Sequence, residues 1–175
     1  MSSFSIDELI TFHYVYPLPL NQFHKLLDEI SSLHELQFLS PTKLTSILQI
    51  SSEKAEKILT NYKRMLKKNL LDAYNHEGIH VIPYTDPNYP LSLLTLVDSP
   101  TVLYAKGDLS LLTRRKIAII GSRMATQYTV KALESIVPPL IEKDIVVVSG
   151  LAKGADRMAH EATIRYGGKT IGILG

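Results

Sequence analysis

Two glycine-marked loops contain the residues of this chain that are best suited to chemistry. Loop 1, residues 121–126 (GSRMAT), follows the mostly apolar run 116–120, and loop 2, residues 149–154 (SGLAKG), follows the apolar run 145–148. Backbone N–H groups in such loops, together with the N-termini of the helices that follow, attract anions. Arg123 and Lys153 add a positive charge to each loop. The pattern therefore predicts a site for a phosphate-bearing ligand.

The two apolar runs predict parallel strands that are buried on both faces. Their separation of about thirty residues fits one βαβ unit. In that arrangement both loops emerge at the carboxyl edge of the sheet, where open α/β folds bind ligands. A third strand is expected at 170–174. Helices are expected at about 126–137, ended or kinked by Pro138 and Pro139, and from about residue 156 to the glycine pair that follows residue 166.

Neither of two common nucleotide-binding motifs is complete. A dinucleotide fold requires G-x-G-x-x-G after its first strand, and loop 1 lacks the second and third glycines. Residues 168–170 (GKT) imitate the end of a P-loop, but Thr163 occupies the position of its first glycine. We interpret 168–170 as a tight turn before a strand. The sequence therefore predicts no cofactor.

Arg123 is the strongest candidate for contact with phosphate, because a guanidinium directly after such a turn can fork onto two oxygens. The hydroxyls of Ser122 and Ser149 either donate to the same anion or cap the following helices. Lys153 either reaches the phosphate chain or is a solvated loop lysine. The full set of candidate DNA- or phosphate-binding residues is Gly121, Ser122, Arg123, Thr126, Tyr128, Ser149, Gly150, Leu151, Ala152, Lys153 and Gly154.

Several residues of the loops and of the helices that follow them have two possible roles. Gly121 and Gly150 are expected where a Cβ atom would obstruct an approaching backbone or ligand, although tight turns without a ligand also use glycine. Tyr128 either offers a stacking face to a nucleic-acid base or packs on the first turn of its helix. Asp156 is interpreted as a first-turn carboxylate that suits the helix dipole, with holding Arg123 in position as the alternative.

The sequence contains no recognisable catalytic constellation. His160 and Glu161 resemble the start of H-E-x-x-H, but Ile164 stands at the position of the second histidine, which excludes that zinc motif. No Ser/His/Asp set, carboxylate pair or metal cluster has supporting context. This favours a binding protein over an enzyme.

Taken together, these residues resemble the DNA-processing protein A family (DprA, also called Smf). The resemblance covers about the last ninety residues, in the order found in the family. The matching segments are 86–91 (DPNYPL), 98–107 (DSPTVLYAKG), 119–123 (IIGSR), 126–128 (TQY), 149–156 (SGLAKGAD) and 167–174 (GGKTIGIL).

The resemblance implies a single-stranded DNA-binding recombination mediator that loads the RecA recombinase onto incoming DNA during natural transformation. It implies an extended Rossmann-like sheet, to which the segment 78–116 adds strands and a covering segment, and a homodimer when the protein is full length. Family members continue beyond the equivalent of Gly175, so we expect this chain to be a fragment, with a naturally truncated product as the alternative. Thr129 and Ala155 depart from the family pattern, and Thr129 leaves the start of the first helix open.

The N-terminal part reads as short helices. Apolar residues at three- and four-residue steps predict helices at 9–16, 22–33, 41–48 and 52–68. The last is the clearest, with Ser51 or Ser52 as its cap. We expect residues 1–72 to form an all-α domain of the sterile-alpha-motif or helix-hairpin-helix type. Residues 73–175 are expected to form the first, incomplete half of the Rossmann-like DNA-binding domain.

Composition limits the function classes. The chain has 175 residues and no cysteine, which excludes disulfides and thiolate metal sites. Its formal net charge is only +2, so binding of nucleic acid would depend on where the charges lie. Residues 1–8 lack the pattern of a signal peptide, and no apolar run approaches the roughly twenty residues of a membrane span. We expect a cytoplasmic protein without a membrane partner.

Two other functions stay open at this point. One is a nucleotide-binding sensor or a nucleotide phosphoribohydrolase on a related sheet, which typically carries a Pro-Gly-Gly-x-Gly-Thr loop and a catalytic glutamate. That loop is absent from these residues. The other is an interaction module that acts through the helical N-terminal domain.

Overall fold

The computed structural model describes residues 4–174. The chain divides into two compact units, residues 1–107 and 108–175, and each is described by itself. The boundary expected near residue 72, between the helical and the Rossmann-like domain, stays a prediction. The outer ends expected for these two domains, residues 1 and 175, lie outside the described residues.

The first unit has a helical core. The N-cap of its longest helix is Ser51, whose hydroxyl oxygen accepts the N–H of Lys54 at 3.2 Å. The apolar face of this helix is buried, and the Tyr62 hydroxyl donates to the Leu33 carbonyl at 3.1 Å. The predicted serine cap and the helical spacing of the apolar residues are therefore confirmed. The helices of this unit within the described residues are α1 (Ile6–Val15), α2 (Leu20–Glu29), α3 (Pro41–Leu48), α4 (Ser52–Met65) and α5 (Leu70–His76).

Two short strands follow the helices. They are β1 (His80–Pro83) and β2 (Val102–Ala105), which pair in antiparallel fashion with Ile82 opposite Leu103. Within the described residues they form a two-stranded sheet of their own, so the expectation that this segment adds strands to the parallel sheet is wrong. The reason is packing, because Val102 lies in the helical core of the first unit.

The second unit alternates strands and helices. Its strands are β3 (Lys116–Ala118), β4 (Val146–Ser149) and β5 (Thr170–Gly172), in that spatial order, and both neighbouring pairs are parallel. Each strand lies within two residues of its predicted bounds, so the predicted parallel α/β sheet is confirmed. The elements are β3 (Lys116–Ala118), α6 (Gln127–Glu142), β4 (Val146–Ser149), α7 (Ala155–Arg165) and β5 (Thr170–Gly172).

The core of the second unit lies between its helices and the sheet. Leu133 and Val137 of α6 pack with Val147 of β4 and Ala159 of α7. These four side chains are almost completely buried. The packing fixes both helices against the strand that carries loop 2.

Helix α6 passes through Pro138 and Pro139 and ends at Glu142, so the expectation of a helix end near residue 137 is wrong. A proline inside a helix leaves the carbonyl four residues earlier without its N–H donor. Here those carbonyls belong to Glu134 and Ser135, which are exposed. Water can satisfy them, and this lowers the free-energy cost of the two prolines.

Within residues 4–174, every helix is too short or too polar to traverse a lipid bilayer.

Candidate functional site

Loops 1 and 2 lie side by side where β3 and β4 end. The Ile119 N–H donates to the Val148 carbonyl at 2.9 Å. The Ser149 hydroxyl donates to the Ile119 carbonyl at 2.6 Å, and the Ile173 N–H donates to the Ser149 carbonyl at 2.8 Å. These bonds extend the strand pairing to the point where both loops leave the sheet, so the loops meet at its carboxyl edge.

The two loops are in direct backbone contact. The Ala155 N–H donates to the Ser122 carbonyl at 3.0 Å. Gly154 has φ +88°, and a Cβ atom there would lie 2.5 Å from the Arg123 carbonyl oxygen. A Cβ atom at Gly121 would lie 2.7 Å from that of Ala155. These glycines are therefore required by the approach of one loop to the other, whether or not a ligand is bound.

The Asp156 carboxylate links the two loops through hydrogen bonds. Its Oδ1 accepts the Gly121 N–H at 3.3 Å, and its Oδ2 accepts the Gly150 N–H at 3.2 Å. The residue is only 7% exposed. Its carboxylate thus accepts hydrogen bonds from two amides, and among the described residues it has no ion pair with Arg123. The N–H groups of Gly121 and Gly150 are accordingly engaged inside the protein.

Other backbone donors of the loops have no acceptor within the described residues. Four exposed loop residues have a backbone N–H for which residues 4–174 supply no acceptor. They are Ser122, Arg123, Leu151 and Lys153. Loop 2 then runs into the N-terminus of α7, whose dipole also favours negative charge. Any backbone contact of the loops with an anion would therefore use these unpartnered amides.

The two cations of the loops are available to a ligand. Arg123 and Lys153 are exposed, and within the described part of the chain neither side chain has a carboxylate or hydrogen-bond partner. By contrast, Arg157 pairs with Glu161 at 2.7 Å and Arg114 pairs with Asp144. The sheet edge therefore carries free positive charge at the two positions singled out from the sequence.

The hydroxyl groups of the predicted set have different surroundings. Ser122 is exposed, and its oxygen accepts the Met124 N–H at 3.0 Å, which leaves its proton free for an anion. Ser149 is buried and already donates to Ile119, so a direct phosphate contact would require that bond to break. Thr126 is the N-cap of α6, and its N–H donates to the Thr129 hydroxyl oxygen at 3.4 Å. Thr129 thus helps to fix the helix start that the sequence left open.

Two large side chains project from this edge. Tyr128 in the first turn of α6 is 81% exposed, and Met124 of loop 1 is 86% exposed. Leu151 is half exposed and has φ +55°, an uncommon conformation for a branched side chain. The exposure of Tyr128 favours the stacking interpretation over packing on its helix. The sequence alone does not point to Met124, because methionine carries no charge or motif signal there.

The histidine of α7 is part of the core. His160 is buried, and its Nδ1 lies 2.7 Å from the Thr170 hydroxyl oxygen. That hydroxyl donates to the Val147 carbonyl at 2.8 Å, so it accepts from the histidine ring. Among residues 4–174 no three histidine, aspartate or glutamate side chains are grouped closely enough to hold a metal ion.

Comparison with known proteins gives consistent relatives. DNA processing protein DprA of Bacillus subtilis (strain 168) is 42% identical over 106 residues, which are 60% of this chain and 36% of the relative. Protein Smf of Escherichia coli (strain K12) is 30% identical over 128 residues, which are 72% of this chain and 33% of the relative. The chain thus spans well under half the length of these curated relatives.

A solved structure is similar along nearly the whole chain. The X-ray structure of DNA processing protein A (DprA) from Streptococcus pneumoniae superposes with a TM-score of 0.72 at 26% identity, covering 99% of this chain and 58% of that chain. Residues 80–175 match the family described as DNA recombination-mediator protein A. Since that match extends over more than half of the chain and includes both loops, the chain belongs to the DNA recombination-mediator protein A family.

Proposed function

We propose that loops 1 and 2 bind the backbone of single-stranded DNA, as part of a recombination mediator. The observation that carries the proposal is the pair of unpartnered, exposed cations, Arg123 and Lys153, on two loops fastened to each other at one sheet edge. The unpartnered N–H groups of the same loops add neutral donors. Phosphate groups are bound by this combination of guanidinium, ammonium and backbone N–H.

Tyr128 and Met124 favour a single strand over a duplex. Both are exposed beside the cations, where they can contact a base that is not paired in a duplex. Stacking on an aromatic ring tolerates every base, because every base has a π face. We therefore propose binding with little dependence on base sequence, in which phosphate contacts position the strand.

The whole protein's role is a further part of the proposal. A DNA recombination mediator holds single-stranded DNA for transfer to a recombinase, and we propose that the recombinase is RecA, that the setting is natural transformation in the cytoplasm, and that the full-length protein acts as a homodimer. The family's description as a recombination mediator supports binding rather than catalysis as its activity. The matched relatives are much longer than this chain, so these properties are proposed for the complete protein.

The test is the affinity for fluorescein-labelled oligo-dT, measured by anisotropy across a salt series. Arg123→Ala should weaken binding by about 1.5–3 kcal/mol, the range for hydrogen bonds to charged groups. The salt slope should fall by about 0.7, the number of counterions released per phosphate on single strands. Arg123→Lys should recover part of the loss, because an ammonium keeps the charge without the fork.

Arg165→Ala provides a matched control, since Arg165 is exposed at the far end of α7 from loop 2. This variant removes the same charge and should change the affinity little. Circular dichroism checks that each variant is folded. If Arg123→Ala binds oligo-dT with unchanged affinity and salt slope, Arg123 does not belong to the site, and the nucleotide-enzyme alternative gains support.

A further inference from the structure

The two proposed DNA-binding loops share one buried acceptor. Asp156 lies in the first turn of α7, and each of its carboxylate oxygens accepts the N–H of a glycine from a different loop. Among residues 4–174, a backbone hydrogen bond also runs from the N–H of Ala155, directly after loop 2, to the Ser122 carbonyl. The carboxylate is therefore the side chain that fixes the position of loop 1 relative to loop 2.

A carboxylate is well matched to this task. It accepts two hydrogen bonds on two separate oxygens without donating any. Its negative charge is stabilised by the N-terminal turn of α7. Gly150 leaves room for it, because a Cβ atom there would lie 2.8 Å from Oδ2. The Asp156 carboxylate therefore depends both on the absence of a side chain at Gly150 and on its place in the first turn of α7.

A carboxylate close to a phosphate site would by itself repel the ligand. If Asp156 acted on DNA only through its charge, neutralising it should therefore tighten binding. If it acts by fixing the two loops, neutralising it should weaken binding, because Arg123 and Lys153 would lose their fixed separation. The two roles predict opposite signs for one substitution.

We infer that Asp156 is a positioning residue that holds loops 1 and 2 at the separation required to bind successive phosphates. It does this through the Gly121 and Gly150 amides and does not touch the ligand. The inference rests on the proposed single-stranded DNA binding. It predicts that a change in the position of one loop also changes the position of the other.

Asp156→Asn in the full chain is the direct test. The amide has nearly the same shape but offers one acceptor oxygen, so one glycine N–H faces an NH₂ group instead. Affinity for labelled oligo-dT should fall about 10–100-fold, by analogy with the loss found when a residue that orients a metal ligand is removed. Glu134→Gln removes an equal charge from an exposed site on α6, where the described residues give it no ion pair, and should bind at least as tightly as the parent chain. Equal or tighter binding by Asp156→Asn overturns the inference.

Amide hydrogen exchange of the unsubstituted chain, followed by NMR, gives a second measurement. The Gly121 and Gly150 amides should exchange much more slowly than those of Arg123 and Lys153, and equal rates would overturn the inference. In Asp156→Asn this protection should fall at the glycines while Val147 stays protected, whereas a general loss of protection would show a merely structural role. If the unsubstituted chain binds no oligo-dT, the proposed function fails, and the exchange rates still test the loop connection.

Discussion

Gly154 lies so close to Ser122 that a Cβ atom at position 154 would stand 2.3 Å from the Ser122 carbonyl oxygen. No side chain tolerates such a contact with backbone, and the φ of +88° is also unfavourable for any residue with a Cβ atom. The contact is between the two loops of the proposed site. Gly154 is therefore where a small change should affect both stability and binding.

The first prediction compares Gly154→Ala with Gly167→Ala. Gly167 has a similar φ of +76° but open space around it, so alanine there should cost only the conformational penalty of about 1–2 kcal/mol. Gly154→Ala should cost about 1–3 kcal/mol more, because the added methyl group forces the loops apart and because φ +88°, ψ −130° lies outside the left-handed α region. Urea unfolding followed by circular dichroism measures both values. Equal losses in the two variants would mean that loop 1 moves away freely.

The second prediction concerns Tyr128. Tyr128→Ala should weaken oligo-dT binding by about 1–3 kcal/mol, the range for loss of one base-stacking ring, whereas Tyr128→Phe should retain most of the affinity. Affinity for duplex DNA should change little, since paired bases are not available for stacking. Tyr166→Ala, at the end of α7, serves as the control for an exposed tyrosine in the same unit. A parallel loss with duplex DNA would indicate a general disturbance of α6.

The third prediction is a pH dependence of stability from His13. Its Nδ1 lies 3.0 Å from the Tyr104 hydroxyl, and burial lowers the pKa of His13 below its ordinary value of 6.5. The unfolded chain therefore binds a proton at a higher pH than the folded chain does. The stabilisation is complete above pH 6.5 and is lost as the pH falls through the folded-state pKa.

The slope is at most about 1.4 kcal/mol per pH unit, the value for one proton. Urea unfolding at pH 7.5 and pH 5.0 should show a larger loss of stability for the unsubstituted chain than for His13→Gln. His76→Gln, at an exposed position in α5, should behave like the unsubstituted chain. The same pH dependence in His13→Gln would assign the effect to other groups.

The parts of the fold that follow from local pattern were predictable from the sequence. Runs such as 145–148 are long enough in β-branched residues to specify a buried strand. Likewise the serine pair Ser51 and Ser52 marks the start of α4, because a serine hydroxyl satisfies an N–H that the helix cannot. The second unit's strands, and the meeting of loops 1 and 2 at their carboxyl edge, follow from these short-range rules.

The parts that depend on long-range contacts were not predictable. The sequence could not show that Asp156 accepts the Gly121 N–H, because the two residues are 35 positions apart. The sequence therefore suggested that the backbone N–H groups of both loops are available to an anion. In the structure the N–H groups of Gly121 and Gly150 instead donate to Asp156. The continuation of α6 through Pro138 was missed for a similar reason, since it depends on which carbonyls face water.

The two adjacent prolines have a consequence for how α6 opens. Pro138 and Pro139 donate no backbone hydrogen bond, so the ladder of the helix is interrupted at two successive positions. If the last turn of α6, which ends at Glu142, frays, the loss of hydrogen bonds can stop at the two prolines and need not extend towards Leu133. The two prolines therefore divide the hydrogen-bond ladder of α6 into a part before Pro138 and a part after Pro139. The turn that leads into β4 can loosen while the half that begins beside loop 1 stays formed.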